Sequence, residues 1–275
     1  IIIIGKNSFV GKNLYIYFKG KTVINIISFN QFKKKKNFSQ IDYIINCSST
    51  LNYINKKYKS KNDIDLKISK KIKKFKNCKL IFLSTRKVYK PSDNISENGK
   101  ILLRENYSKN KYITESKLKN ILYNRVLILR VSNLIGLSTI KSERKLHKTF
   151  IDYYIENIEK NTIFHNNKLY KDFISIKVFA KIVFLLIKKK KTGVFNVSLG
   201  RKVYLTNIIN WLNFYNPNKK LIKKLANSSD KKYNKDSFYL NNHKLLKAVK
   251  IDINLNDLKK ECLRISKKLF YEKKK

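Results

Sequence analysis

Ile1-Ile2-Ile3-Ile4-Gly5-Lys6-Asn7-Ser8-Phe9-Val10-Gly11 opens the chain: four β-branched apolar residues, a glycine, and the start of an amphipathic stretch carrying Leu14. This order reads as a strand, a tight turn and a helix N-terminus. Backbone N–H groups at such a junction, with the positive end of the helix dipole, form a site for a pyrophosphate. Gly5 permits the turn, and Gly11 lets the helix pack closely on the strand. Between them stands Ser8, small enough for the turn, with a hydroxyl able to donate to a phosphate or to cap the helix. Ser8, Phe9 and Val10 complete the candidate loop. The pattern is weak by itself and gains weight from its place in the chain.

Outward from the loop, short apolar runs alternate with amphipathic stretches. Strands are expected at Ile1–Ile4, Val23–Ile27, Tyr43–Asn46, Leu80–Leu83 and Leu127–Val131, with helices at Ser8–Phe18, Asp63–Phe75 and Tyr107–Tyr123. Alternation predicts an α/β fold, a doubly wound parallel sheet. The strands are continuously apolar, as strands covered on both faces are. After Gly136 the pattern loosens. A helix is expected at Lys148–Ile158, a strand at Asp172–Ile176, a helix at Val178–Ile187 and a strand at Val194–Val197. Thr206 is the expected N-cap of a helix carrying Ile208, Ile209 and Leu212. Leu255, Leu258, Cys262, Ile265 and Leu269 mark a last amphipathic helix. Ala226–Lys235 reads as a loop and Lys273–Lys275 as a frayed tail.

The totals exclude several classes. The 275 residues, 43% hydrophobic, suffice for a compact two-lobed unit. The chain opens on Ile1 and holds no methionine, so the initiator is expected upstream of it. Ile1–Ile4 is too short for a signal-peptide core, and no apolar run reaches the roughly 18–20 residues of a membrane span. A cytoplasmic location follows as the expectation. Cys47, Cys78 and Cys262 are far apart and share no metal spacing with His147, His165 or His243, so neither metal nor disulfide is expected.

The formal charge of +45 is almost entirely lysine, spread along the chain, while arginine is scarce. Lys, Asn, Ile, Phe and Tyr abound, all residues with A/T-rich codons. Compositional bias accounts for this, with Lys33–Lys36 and Lys188–Lys191 as solvated lysines. Steering of an anionic substrate is a second reading, and a nucleic-acid interaction a third.

Tyr107 and Lys111 lie four residues apart and share one helix face. A lysine beside a tyrosine stabilises the phenolate and brings its pKa down from about 10. Such a tyrosine can exchange a proton with a hydroxyl or ketone during hydride transfer. In a chain so rich in both residues the spacing alone is thin. Its neighbours strengthen it. Leu83-Ser84-Thr85-Arg86-Lys87-Val88-Tyr89 places hydroxyls at the carboxyl end of a strand, where ligands bind in open parallel sheets. Tyr43-Ile44-Ile45-Asn46-Cys47-Ser48-Ser49 ends another strand in small residues.

Here the chain resembles the extended short-chain dehydrogenases/reductases of the NAD-dependent epimerase/dehydratase family. Gly5–Gly11 resembles the family's GxxGFIG, and Asn46-Cys47-Ser48 its small strand ending. Ser84-Thr85 with Val88-Tyr89 resembles SSxxVY, and Tyr107, Lys111 and Glu115 match YGxSKxxxE in spacing. Leu129–Gly136 resembles LRxxNxxG, Lys171–Ile176 resembles RDFIHV, and Gly193–Val197 resembles GxYNV. The chain has only seven glycines, and Gly5, Gly11, Gly136, Gly193 and Gly200 all fall at or beside these motifs.

The resemblance implies a Rossmann-type domain at 1–136 plus about 172–198, and a small C-terminal α/β substrate lobe at 137–171 and 199–275. It implies Tyr107 as general acid/base and Lys111 as its partner on the nicotinamide ribose. Thr85 would hydrogen-bond the reacting oxygen, and Asn133 would stand near the substrate. Gly5, Ser8, Phe9, Val10, Gly11, Asn30, Cys47, Ser48 and Ser49, with Tyr107 and Lys111, would hold NAD or NADP. The second strand ends Ser28-Phe29-Asn30 with no acid for a ribose 2′-hydroxyl, and Lys33–Lys36 follow, a slight lean to NADP.

The implied substrate is a nucleotide-activated sugar used in polysaccharide synthesis. Dehydratases of the family carry Asp-Glu after the catalytic Thr; Arg86-Lys87 stand here, against that reaction. Epimerase and keto-sugar reductase stay open. The rival reading is a non-catalytic Rossmann-like RNA-binding or regulatory protein. No membrane partner is expected, and oligomeric state is left open, a homodimer included. His147, Phe150 and His165 lie in the loops expected to set specificity, where each has a packing or surface role as its alternative.

Overall fold

A computed structural model of the chain describes residues 1–137, 149–158, 162–165, 168–217, 222–225 and 236–271. The first five strands are β1 (Ile2–Ile4), β2 (Asn25–Ile27), β3 (Tyr43–Asn46), β4 (Lys79–Thr85) and β5 (Val126–Val131). With Gly193–Val197 they form a six-stranded sheet in which every pairing is parallel. The order is β2-β1-β3-β4-β5, with Gly193–Val197 outside β5. Strand order reverses between β1 and β3, the place where open α/β sheets bind ligands. Pairing β1 with β3 and β4 with β5 sets Ile4 beside Asn46 and Thr85 beside Val131. Those residues therefore end at one edge of the sheet.

Both faces are covered. On one face, helix α1 (Phe9–Phe18) and the helices Ile176–Lys188 and Leu255–Phe270 bury Leu14, Phe18, Phe179, Leu258 and Ile265 against Ile3, Ile45 and Leu129. On the other, α2 (Phe29–Lys34), α4 (Ile64–Ile72) and α5 (Asn106–Leu122) bury Phe32, Ile68, Ile72, Leu118 and Leu122 against Ile4, Ile44, Phe82 and Ile128. The expected doubly wound Rossmann-like sheet is the observed one.

Most bounds move by only a residue or a few, and two expectations fail. Val23 lies outside β2 and is 87% exposed, because pairing with β1 starts at Ile2 opposite Asn25. Thr206 is not an N-cap: the helix Leu205–Leu212 begins straight after the bridge strand Val203–Tyr204, so Thr206 already lies inside its first turn. Two short helices were not anticipated. In α2, Ser28 Oγ accepts from the Gln31 amide while the Gln31 side chain accepts from the Ser28 amide, a capping box. In α3 (Leu51–Asn55), Thr50 caps the Tyr53 amide. Phe150 packs edge-on against Phe173 with ring centroids 5.5 Å apart. The expectations for His147, for the His165 side chain, for Ala226–Lys235 and for Lys273–Lys275 lie outside the described residues.

Polar residues buried between the layers lock them together. Glu115 and Arg130 have side-chain exposures of 1% and 5%. Arg130 donates from Nε to both Glu115 oxygens and from Nη2 to Oε2 at 2.6 Å. Ser84 donates its hydroxyl to Glu115 Oε1. Arg130 Nη1 donates to the Tyr89 hydroxyl at 2.8 Å and to the Glu97 carbonyl at 2.9 Å. Tyr89 in turn donates to Asn196 Oδ1 at 2.8 Å. Burial alone would lower the Arg130 pKa, but the Glu115 carboxylate outweighs it and holds the guanidinium charged.

A second anchor is the fully buried Asp172, whose carboxylate accepts from the amides of Leu199, Gly200 and Leu240. Arg130→Met leaves the Glu115 charge buried and unpaired, and a loss of roughly 3–5 kcal/mol in urea-unfolding free energy is expected. The double variant Glu115→Leu/Arg130→Met is expected to cost clearly less than the sum of the two single changes.

Candidate active site

The Gly5–Gly11 loop closes as the sequence predicts. Gly5 has φ +113°, which only glycine adopts without strain. Its amide donates to the Ile27 carbonyl, and its carbonyl accepts from the Ser8 amide, both at 2.8 Å. Ser8 Oγ accepts from the Gly11 amide at 2.9 Å, so the serine caps α1. A Cβ on Gly11 would meet Ser8 Oγ at 2.6 Å and the Gly5 carbonyl oxygen at 2.7 Å. A Cβ on Gly5 would meet Ser48 Oγ at 2.9 Å. The cradle therefore needs both glycines, and it brings Ser8, Cys47 and Ser48 together at the β1/β3 reversal. The amides of Phe9 and Val10 make no hydrogen bond among the described residues and stand at the positive end of the helix, as an anion site requires.

Beyond β3 the backbone turns on Asn46, whose side chain accepts from the Ser48 amide and donates to the Ser48 carbonyl. Ser49 Oγ is buried without a partner among the described residues. Burial pushes the Cys47 thiol pKa up, so it stays neutral. The loop, its two free amides and the orphaned Ser49 hydroxyl fit a dinucleotide. Asn30 is exposed on α2, and Ser28 is engaged in capping that helix.

Thr85 ends β4 and is 8% exposed. Its Oγ1 accepts from the Lys87 amide at 3.2 Å, which leaves the hydroxyl proton to donate elsewhere. Tyr107 and Lys111 both lie on α5, one turn apart. Lys111 is also 8% exposed; its Nζ donates to the Leu83 carbonyl at 2.8 Å and sits 4.5 Å from the Phe82 ring centroid and 5.9 Å from that of Tyr107. The strand bearing Thr85 thus holds the lysine that partners Tyr107. Tyr107 lines an open cleft of about 280 Å³ with Ile54, Asn55, Lys87, Glu105 and Asn106. Asn133 is half-buried and donates its side-chain N–H to the Asp172 carbonyl at 2.8 Å. The neighbouring Ser132 Oγ is buried without a partner among the described residues.

Several polar residues at the site escaped the sequence reading. Asp63 caps α4 and accepts from the hydroxyls of Tyr58 and Thr114. Thr114 also meets the Tyr53 hydroxyl at 2.7 Å. Asp65 is 4% exposed, its Oδ1 without a hydrogen-bond partner among the described residues. Burial pushes its carboxyl up to about 7, against the charge of Lys111 and a hydrogen bond from Asn46. Two acids in three residues, in a chain with only 18, was the available signal.

A parallel sheet reversing at a glycine loop, with a tyrosine–lysine helix against the next strand end, defines a dinucleotide-binding protein of the Rossmann class. The model for the NAD dependent epimerase/dehydratase family matches residues 1–198, and the chain belongs to that family. Its cofactor is accordingly a nicotinamide dinucleotide. No curated protein matches the chain.

Among solved structures it is similar to UDP-N-acetylglucosamine 4-epimerase from Methanobrevibacter ruminantium in complex with UDP-N-acetylmuramic acid (17% identity, 98% of each chain covered, TM-score 0.78). It is similar to UDP-glucose 4-epimerase from Thermotoga maritima with UDP-glucose (14% identity, 100% of this chain and 99% of that one, TM-score 0.77). A third is dTDP-glucose 4,6-dehydratase from Bacillus anthracis in complex with NAD (14% identity, 99% and 96% covered, TM-score 0.74). Among the described residues no helix is long and apolar enough to cross a membrane.

Gly11→Ala is expected to weaken NADH or NADPH binding at least about tenfold, read by nucleotide fluorescence, because the loop must open to admit the methyl. Asp65 generates a pH effect. Its folded pKa lies above the unfolded value of about 3.9, so the folded state holds the proton longer. Its contribution to stability falls as pH rises from about 4 to 7 and stays low above that. Asp65→Asn is therefore expected to match the wild-type apoprotein near pH 4 and to exceed it above pH 7 by a few kcal/mol, about 4 at most, in denaturant titrations at each pH.

Proposed function

We propose that the chain is a cytoplasmic NAD(P)-dependent epimerase or keto-sugar reductase acting on a nucleotide-activated sugar. The observation that carries this reading is Lys111, buried one helical turn from Tyr107 and bonded to the strand that ends in Thr85. One lysine donor is spent on the Leu83 carbonyl, and two remain for the ribose of a bound nicotinamide nucleotide. The bound cofactor supplies the hydride chemistry. Tyr107 donates or takes the proton of the sugar oxygen, Lys111 stabilises the phenolate, and Thr85 orients the same oxygen with its free hydroxyl proton.

The Phe9 and Val10 amides would hold the phosphates of the cofactor, and Gly5, Ser8, Gly11, Cys47, Ser48 and Ser49 would complete the cradle. Asn133 faces the sugar nucleotide. Residues 1–136 with about 172–198 hold the cofactor, and 137–171 with 199–275 form the substrate lobe. Three similar structures carry sugar nucleotides or act on them by name, which supports the substrate class. Arg86-Lys87 after Thr85 supply no carboxylates for elimination, which favours epimerase or reductase over dehydratase. The absence of an acid at Ser28–Asn30, together with an exposed Asn30, supports a slight preference for NADP.

Tyr107→Phe is expected to keep the fold and the cofactor but to lower turnover about a hundred- to ten-thousandfold. Protein purified with tightly held NAD marks an epimerase; NADPH consumption with a keto-sugar nucleotide marks a reductase. Salt-sensitive nucleic-acid binding unchanged in Tyr107→Phe, with no turnover by the wild type, would overturn the enzyme reading in favour of the regulatory one.

A further inference from the structure

Arg86 and Lys171 differ from the other cations around the site. Both are only half-exposed, and neither side chain makes a hydrogen bond or ion pair with any described residue, although the backbone of each is bonded. The acids near them are already engaged. Glu105 pairs with Lys87 at 2.8 Å, Asp236 pairs with Arg104 at 3.1 Å, and Asp172 accepts from three backbone amides. The Arg86 guanidinium lies 3.8 Å from the centroid of the fully buried Phe238 ring, so an aromatic face fixes its plane. Burial lowers the Arg86 pKa to about 10, with Asp236, Glu105 and Asp172 opposing. Lys171 is lowered too, first by burial and then by the charge of Arg86 itself. Two cations thus repel one another in a half-buried place, with the neighbouring carboxylates among the described residues already committed.

The lysine-rich composition does not explain this arrangement. The excess lysines can stand in water, whereas a half-buried charge without a partner is costly. Arginine is rare here, and four of the other described arginines have partners: Arg104 with Asp236, Arg125 with backbone carbonyls, Arg130 with Glu115, and Arg264 with Glu261. Arg86 is also the residue directly after Thr85, which sets its backbone next to the proposed reacting centre. A planar guanidinium presents a fork of N–H donors that matches a carboxylate in two parallel hydrogen bonds.

We propose that Arg86, supported by Lys171, binds a carboxylate carried by the sugar ring of the substrate, so that the enzyme acts on an acidic, uronate-type sugar nucleotide. This rests on the proposed function and narrows its substrate class. Arg86 is a specificity residue in this account, and the nucleotide diphosphate is bound elsewhere.

The test uses matched pairs, UDP-glucose with UDP-glucuronate and GDP-mannose with GDP-mannuronate, titrated calorimetrically into the cofactor-loaded protein. Salt of roughly 0.5 M screens the general positive field. In one nucleotide series the uronate is expected to bind at least about tenfold tighter than the neutral sugar. Arg86→Gln is expected to remove that preference without weakening neutral-sugar binding or lowering the thermal midpoint, and Arg86→Lys to restore part of it. Lys188→Gln, an exposed control at a helix end, is expected to change neither. Equal affinity for acid and neutral sugar in the wild type overturns the proposal, as does a preference that survives Arg86→Gln. An equal loss for both sugars in Arg86→Gln also overturns it, because the arginine then serves the diphosphate. Absence of binding by all four sugar nucleotides instead overturns the proposed function beneath it.

Discussion

The carboxylate of Glu115 and the guanidinium of Arg130 meet inside the protein, with almost no access to water. Neither charge could stay there alone, because desolvating an unpaired ion costs several kcal/mol. Their partners make the arrangement affordable and determine what it connects. Glu115 lies on the same helix as Tyr107 and Lys111, and Arg130 lies on β5. Ser84 joins from β4, Tyr89 from the segment beyond it, and Asn196 from the strand at the sheet edge. One chain of hydrogen bonds therefore crosses the tyrosine–lysine helix and three adjacent strands. A buried network of this kind is stabilising only when nearly every member is satisfied, which gives it a single geometry.

That geometry fixes the register of the site. Ser84 lies opposite Arg130 across β4 and β5, so Thr85 must emerge one residue later at the edge. The same helix that delivers Glu115 to Arg130 delivers Lys111, four residues earlier and on the same face, to the Leu83 carbonyl. The spacing of tyrosine, lysine and glutamate along one helix is then a consequence of three contacts made by one face: the cleft, the strand end and the buried pair. The Glu115–Arg130 pair thus holds the helix that carries Lys111 against β5, although neither residue lines the cleft.

This also explains what could be read from the sequence. The sheet was legible because its strands are covered on both faces and must be apolar throughout, as Tyr43–Asn46 and Val126–Val131 are. Gly5 and Gly11 were legible because a positive φ and a 2.7 Å approach admit no side chain. The short helices α2 and α3 were not. Each is held by one serine or threonine cap and a few apolar contacts, a signal that a turn would give equally well. The Asp63–Asp65 cluster was missed for another reason. Its two acids stand out in an acid-poor sequence, but their spacing does not say that they will meet Tyr53, Thr114 and Asn46. Thr206 failed because an N-cap preference is weaker than the pairing of Val203–Tyr204, which decides where the helix can start.

The charge of the chain divides along the same physical line. Lysine at an exposed position costs little, since water solvates the ammonium whatever its neighbours are, and composition can drift toward lysine there without changing the fold. Lys33–Lys36 stand at such positions. At a buried position the same side chain needs an acceptor, and Lys111 has one in the Leu83 carbonyl. The burial of Arg130 is likewise matched by a carboxylate, a hydroxyl and a carbonyl. A net charge of +45 therefore says little about function when taken as a sum. The informative cations are the few that have left water: Lys111 and Arg130 meet partners within the chain, and Arg86 and Lys171 meet none among the described side chains that offer a carboxylate.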